Sequence, residues 1–140
     1  MPKNWRAMLE LPGANSLKHF RHLLESRPWW KLNPDVNNVV AIAGRGAFAT
    51  NDYAVTAFAE DGSFALSYLP TPRALTVDLG RFSGRKVIAS WFNPRTGETT
   101  RIGEFAGKKQ HRFDPPAAGD WVLVLDDAAK HYPAPGQRAK

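Results

Sequence analysis

Hydrophobic positions along this chain follow two different periods. Between residues 16 and 26, Leu17, Phe20, Leu23 and Leu24 recur at the spacing of one helical face, and Lys18, Arg21, His22 and Glu25 take the other. Asn15 or Ser16 suits the N-cap, and Pro28 ends the helix by pushing the residue before it out of the helical region. A shorter helical turn is expected over residues 4–11, with Asn4 as cap and Trp5, Met8 and Leu9 on one side, broken by Pro12-Gly13. Helices this short are marginal alone in water, so the apolar stripe of the second one must be covered.

The pattern changes after Trp29, Trp30, Leu32 and Asn33-Pro34-Asp35, which read as a linker. From Val39 onward, short β-branched and aromatic runs alternate with Gly, Pro, Asn and Asp. The strand candidates are Val39–Ala43, Tyr53–Ala59, Phe64–Leu69, Leu75–Leu79, Lys86–Phe92, Glu98–Ile102, Gln110–Phe113 and Trp121–Leu125. Glu60-Asp61-Gly62-Ser63 predicts a hairpin turn. Trp91-Phe92-Asn93-Pro94-Arg95-Thr96-Gly97 predicts another, with proline presetting φ and Gly97 supplying the left-handed conformation. Trp121–Leu125 is apolar throughout and is expected to be central and buried on both faces. The fold class that follows is mainly β, an antiparallel β-sandwich of about eight strands preceded by a short N-terminal helical segment. Its divisions are residues 1–34 for the helical segment and linker, 35–127 for the sandwich, and 128–140 for a disordered tail rich in Pro, Ala and charge.

Charge changes the picture by its location. The net +6 is carried by the ends: residues 1–34 sum to +4 and residues 128–140 to +3, against −1 for the body between them. A nucleic-acid binder concentrates positive charge on its folded face, so that class is disfavoured. No cysteine is present, which excludes disulfides and thiolate metal sites. No apolar run of about 18 residues predicts a membrane span, and no signal core follows Met1. As written, the chain would stay in the cytoplasm unless it is a fragment.

Catalytic chemistry finds little purchase. A general acid/base pair needs two converging carboxylates, and Asp35, Asp78, Asp114 and Asp120 fall at strand ends or in loops, where turn hydrogen bonding explains them. His19 and His22 share a helix face, but Lys18 and Arg21 beside them repel a cation, and His111 and His131 stand alone. No metal or other cofactor is predicted. Indoles can stack on sugar rings, and among the tryptophans Trp91 and Trp121 lie in apolar strands and read as core. Trp29 and Trp30 are adjacent, so on an extended segment they point oppositely, and they are candidate ligand contacts together with Arg95 in the loop.

Several pieces in order resemble one family. They are Trp29 after Arg27-Pro28, Asp61-Gly62 before Tyr68-Leu69-Pro70, Val77-Asp78-Leu79, the Trp91 to Gly97 stretch, and Pro116 followed by Asp120-Trp121-Val122-Leu123. Together these are similar to the C-terminal part of apiosidase-like glycoside hydrolases, in which a TIM-barrel catalytic domain precedes a β-sandwich labelled a putative collagen-binding domain of a collagenase. The resemblance runs from about Trp5 to Asp126. It implies that residues 5–27 correspond to the last helical elements of the barrel, and that the catalytic carboxylates lie outside this chain, a terminal fragment or separately encoded remnant. The role it implies is a non-catalytic accessory domain that packs on a TIM-barrel domain, in cis or separately encoded, and binds carbohydrate or collagen. One of Trp29 and Trp30 would then pack on the sandwich and the other face the barrel or solvent. The alternatives are a purely structural sandwich with no ligand of its own and, from a different class, a stand-alone glycoside hydrolase. The family's setting implies a secreted or periplasmic bacterial parent.

Overall fold

The computed structural model of the chain describes residues 22, 23, 25, 26, 31–34, 41–43, 55–59, 61–69, 74–82, 85–94, 96–107, 110–130 and 132. Among them nine strands form: β1 (Leu32–Pro34), β2 (Ala41–Ala43), β3 (Val55–Ala59), β4 (Phe64–Leu69), β5 (Leu75–Asp78), β6 (Lys86–Phe92), β7 (Thr99–Ala106), β8 (Gln110–Phe113) and β9 (Trp121–Asp127). They make a six-stranded sheet in the order β1-β3-β4-β9-β6-β7 and a three-stranded sheet in the order β2-β5-β8. Every pairing is antiparallel.

The expected β4, β6 and β8 appear with unchanged bounds, since turn residues punctuate both sides of each run. β7 extends beyond the expected Ile102 to Ala106. It does so through a bulge: Ala89 pairs with Gly103 and Ser90 with Arg101, leaving Ile102 as the extra residue. Gly103 has φ 153°, a conformation that side-chain-bearing residues rarely adopt. The stretch expected to be linker supplies β1, whose register is Leu32 to Ala59 and Pro34 to Ala57. Proline lacks a ladder donor and is tolerated at an edge such as this one.

The large sheet separates two apolar clusters. On its inner face Ala65, Leu69, Val87, Ala89, Trp91, Trp121, Leu123 and Leu125 meet Leu75, Val77 and Phe113 of the small sheet, which is the sandwich core. On its outer face Leu32, Ala57, Phe64, Leu66, Phe92, Val122 and Val124 pack with Leu23 and the half-buried Tyr132. β4 and β9 are therefore buried at every position, as the unbroken apolar run of β9 predicted. Each fully buried Leu or Phe contributes about 1.5–3 kcal/mol, so both faces stabilise the sheet. On the inner face the hydroxyls of Thr56 and Ser67, opposite each other in register, bond at 2.8 Å and satisfy one another in a buried setting.

The flanks follow from the same clusters. His22, Leu23 and Glu25 are helical, and Ser26 closes the last turn through its N–H to the carbonyls of His22 and Leu23, both at 3.2 Å. Leu23 is buried, whereas His22 and Glu25 are exposed, the division that the helical period requires. Past β9, Ala128–Lys130 form a 3-10 turn, and the Tyr132 ring meets Phe64 edge-on at 5.7 Å. The stretch read as tail thus has described residues on the sheet as far as Tyr132. No helix among the described residues is long and apolar enough to cross a membrane.

Register also fixes which ends lie together. Leu32, Ala59, Phe64, Asp126 and Asp127 gather at one end of the large sheet, so the chain enters β1 and leaves β9 there. The opposite end holds Leu69, Trp121, and the turn from Phe92 to Thr99. That loop end faces away from both chain crossings.

Candidate functional site

At the loop end, the turn between β6 and β7 is built from backbone bonds to Asn93. Its N–H donates to the Glu98 carbonyl at 2.8 Å, and its carbonyl accepts from Gly97 N–H at 2.7 Å and Thr96 N–H at 3.3 Å. Glu98 N–H donates to Thr96 Oγ1 at 3.2 Å. Gly97 sits at φ 81°, the left-handed value expected of it, and Pro94 is buried. The turn is thus a fixed frame, and it carries Arg95.

The neighbouring loop, residues 114–120, is clamped at two points. Trp121 Nε1 donates to the Ala117 carbonyl at 3.1 Å, and the Tyr68 hydroxyl donates to Asp120 Oδ2 at 3.1 Å. Tyr68 is buried, and burial, with the Asp120 charge and hydrogen bond adding to it, pushes its phenol well above the usual value. Pro116, Ala117 and Ala118 remain exposed at the tip. An exposed, clamped loop of this kind can pack against a polymer. Among the described residues it holds no nucleophile beside a base.

Four other aspartates among the described residues are occupied structurally, and Asp35 lies outside the described residues. Asp78 caps a 3-10 turn at Leu79–Arg81, Oδ1 accepting from Gly80 N–H at 2.9 Å, and Arg81 Nε lies 3.6 Å from Oδ2. Asp114 faces Arg112 at 3.4 Å. Asp127 Oδ1 accepts from Ala129 N–H at 3.0 Å. At the chain-crossing end, Asp61 Oδ1 accepts from Ser63 N–H at 3.0 Å and Oδ2 meets Lys31 Nζ at 3.0 Å. Its carboxyl is held down at about 2. The Ser63 hydroxyl facing it is the largest cause, though short of a formed hydrogen bond, and Lys31 and the Ser63 amide assist against the opposing effect of burial. No group of three His, Cys, Asp or Glu side chains among the described residues could hold a metal.

Of the candidate ligand contacts read from sequence, Trp29, Trp30 and Arg95 all lie outside the described residues. Trp91 and Trp121 are core as expected, 3% and 8% exposed, with their rings edge-to-face at 6.4 Å. His111 has aromatic neighbours, its ring tilted against Phe105 at 4.3 Å and edge-on to Phe113 at 4.6 Å. The Tyr68–Asp120 contact is invisible in the sequence. Its partners are 52 residues apart, and nothing local signals it.

Comparison with known proteins gives three results. Residues 36–126 match the family model described as "Putative collagen-binding domain of a collagenase". No curated protein matches. Among solved structures, a protein described as a glycoside hydrolase is 28% identical with a TM-score of 0.74, over 95% of this chain and 29% of that one. A glycoside hydrolase family 5 protein from Bacteroides vulgatus is 29% identical with a TM-score of 0.75, over 96% of this chain and 29% of that one. The chain therefore spans under a third of the length of these relatives.

Proposed function

The chain belongs to the family of the "Putative collagen-binding domain of a collagenase", and on that premise we propose that it is a non-catalytic accessory module of a glycoside-hydrolase-like protein. The observation that carries this reading is the pattern of coverage, with nearly all of this chain matching less than a third of each glycoside hydrolase. The engagement of Asp61, Asp78, Asp114, Asp120 and Asp127 in turns, caps and pairs supports it, since a hydrolytic pair needs carboxylates free to meet a sugar. In this reading the partner is a TIM-barrel catalytic domain, in cis or separately encoded. The loop end, with Arg95, and the indoles of Trp29 and Trp30 contact a polysaccharide or collagen. No bond is made or broken in the module.

A purely structural role is the second reading. It is favoured by the burial of both described tryptophans, which leaves no indole platform among the described residues. Depletion of the purified chain by insoluble polysaccharides and fibrillar collagen separates the two. Retention on one polymer, weakened by Arg95→Ala or by Trp29→Ala with Trp30→Ala, is the expected result, and a flat response across the panel leaves the structural role. Aryl-glycoside hydrolysis that survives repurification of the chain would overturn both.

A further inference from the structure

The family segment begins at residue 36 and stops at residue 126, yet some of the outer core comes from beyond both limits. Leu23 is 0% exposed and Leu32 is 4% exposed, both against the outer face of the large sheet. β1 pairs with β3 over three residues, and Lys31 bonds Asp61 of the β3–β4 turn at 3.0 Å. Asn33 Nδ2 donates to the Lys31 carbonyl at 3.2 Å, which fixes the start of the strand. From the other flank, Tyr132 places its ring on Phe64, itself fully buried. Remove these flanks and Phe64, Leu66, Val122 and Val124 become one exposed apolar face, of the kind monomeric domains avoid.

We propose that the outer face of the six-stranded sheet is a docking surface whose occupant is this chain's own flanks, the helix end at Leu23, strand β1 and Tyr132. These flanks fold with the sandwich as one cooperative unit. The boundary between this module and any domain before it then lies N-terminal to His22. The helix end at Leu23, in a stretch that sequence resemblance attributes to the barrel, belongs to the sandwich. This inference concerns folding alone, and it stands or falls separately from the accessory role.

Hydrogen exchange of the full chain in increasing urea, read by mass spectrometry on peptides, tests it. In the wild type, residues 22–34 should lose protection at the same urea concentration as β4 and β9. Leu23→Ala should speed exchange in β4 and β9 by at least about 10-fold, because it opens a cavity in a core they share. Tyr132→Ala, at a half-buried ring, is the milder probe and should speed the same peptides by about 3-fold or more. Residues 22–34 opening at distinctly lower urea than β4 and β9 would overturn the proposal. So would unchanged β4 and β9 exchange in Tyr132→Ala and in any Leu23→Ala chain that folds.

Discussion

Replacing Tyr68 with phenylalanine should destabilise the protein near neutral pH and stop doing so in alkali. At neutral pH the substitution removes the hydroxyl that donates to Asp120 Oδ2 and changes little else. A net loss of about 1 kcal/mol is expected, below the usual range for bonds to charged groups, because the half-exposed Asp120 can recruit water. In alkali the sign turns. Burial and Asp120 raise the folded-state phenol well above its ordinary value of 10.0, so between the two values the unfolded chain sheds a proton that the folded chain keeps. Stability from this group is complete below the unfolded value and declines as pH rises above it. One unit above, the loss is about 1.4 kcal/mol. Phenylalanine has no proton to lose, so the wild type and Tyr68→Phe should converge near pH ~10.6 and cross by about pH 11. Urea titrations of both proteins at matched pH, followed by circular dichroism, measure the gap and cancel the titration of other groups. A gap that stays constant from neutral pH to about pH 11 would refute the argument, because it would mean that Tyr68 ionises as readily folded as unfolded.

Three further outcomes follow from other contacts. Thr56→Val alone should cost about 1–3 kcal/mol by leaving the buried Ser67 hydroxyl without its partner, and adding Ser67→Ala should recover most of that loss in a chemical-denaturation cycle. Gly103→Ala should cost about 1–3 kcal/mol through backbone strain alone, since no atom lies within 4 Å of the added methyl, and thermal unfolding will report it. Asp61→Asn should flatten the acid limb of the stability curve. The native carboxyl, lowered from 3.8 to about 2, contributes stability above the first value and loses it as pH falls through the second. An unaltered slope between these values in an acid titration would discount the Lys31 and Ser63 contacts.

What the sequence reveals and conceals depends on where the information lies. β4 is legible because Phe64, Leu66 and Tyr68 alternate with Ala65 and Ser67 between a Gly-containing turn and Pro70, all local signals. The Asn93 to Gly97 reversal is legible for the same reason, and Gly97 adopts the conformation its position demands. β1 is hidden because three residues ending in proline carry no strand signal, and only β3 makes them one. The last stretch of β7 is hidden by Gly103 and by Glu104, whose exposed side chain pairs with that of Arg101 at 3.5 Å along an edge strand. Asp126 and Asp127 look like a stop signal, yet both are buried at the end of β9, where Asp127 N–H donates to the Ser63 carbonyl at 2.9 Å. At the loop end, the frame around Arg95 follows from sequence, whereas the Tyr68 clamp on the adjoining loop depends on tertiary contact.

Because the chain enters and leaves the large sheet at one end, a tether stretched between its two flanks would load the strands crosswise. Hydrogen bonds loaded this way break in succession, whereas those of a sheared pair must break together. β1 is the outermost strand on that side and is held by three register positions and the Lys31–Asp61 bridge, so force reaches it first, and its loss opens the outer core that it shares with β4 and β9. β9, flanked by β4 and by β6 over six register positions each, should hold until the sandwich itself gives way. In single-molecule pulling from the two ends, the expected trace is one rupture that starts at the β1 edge. Under load the module would then give way from its margin inward.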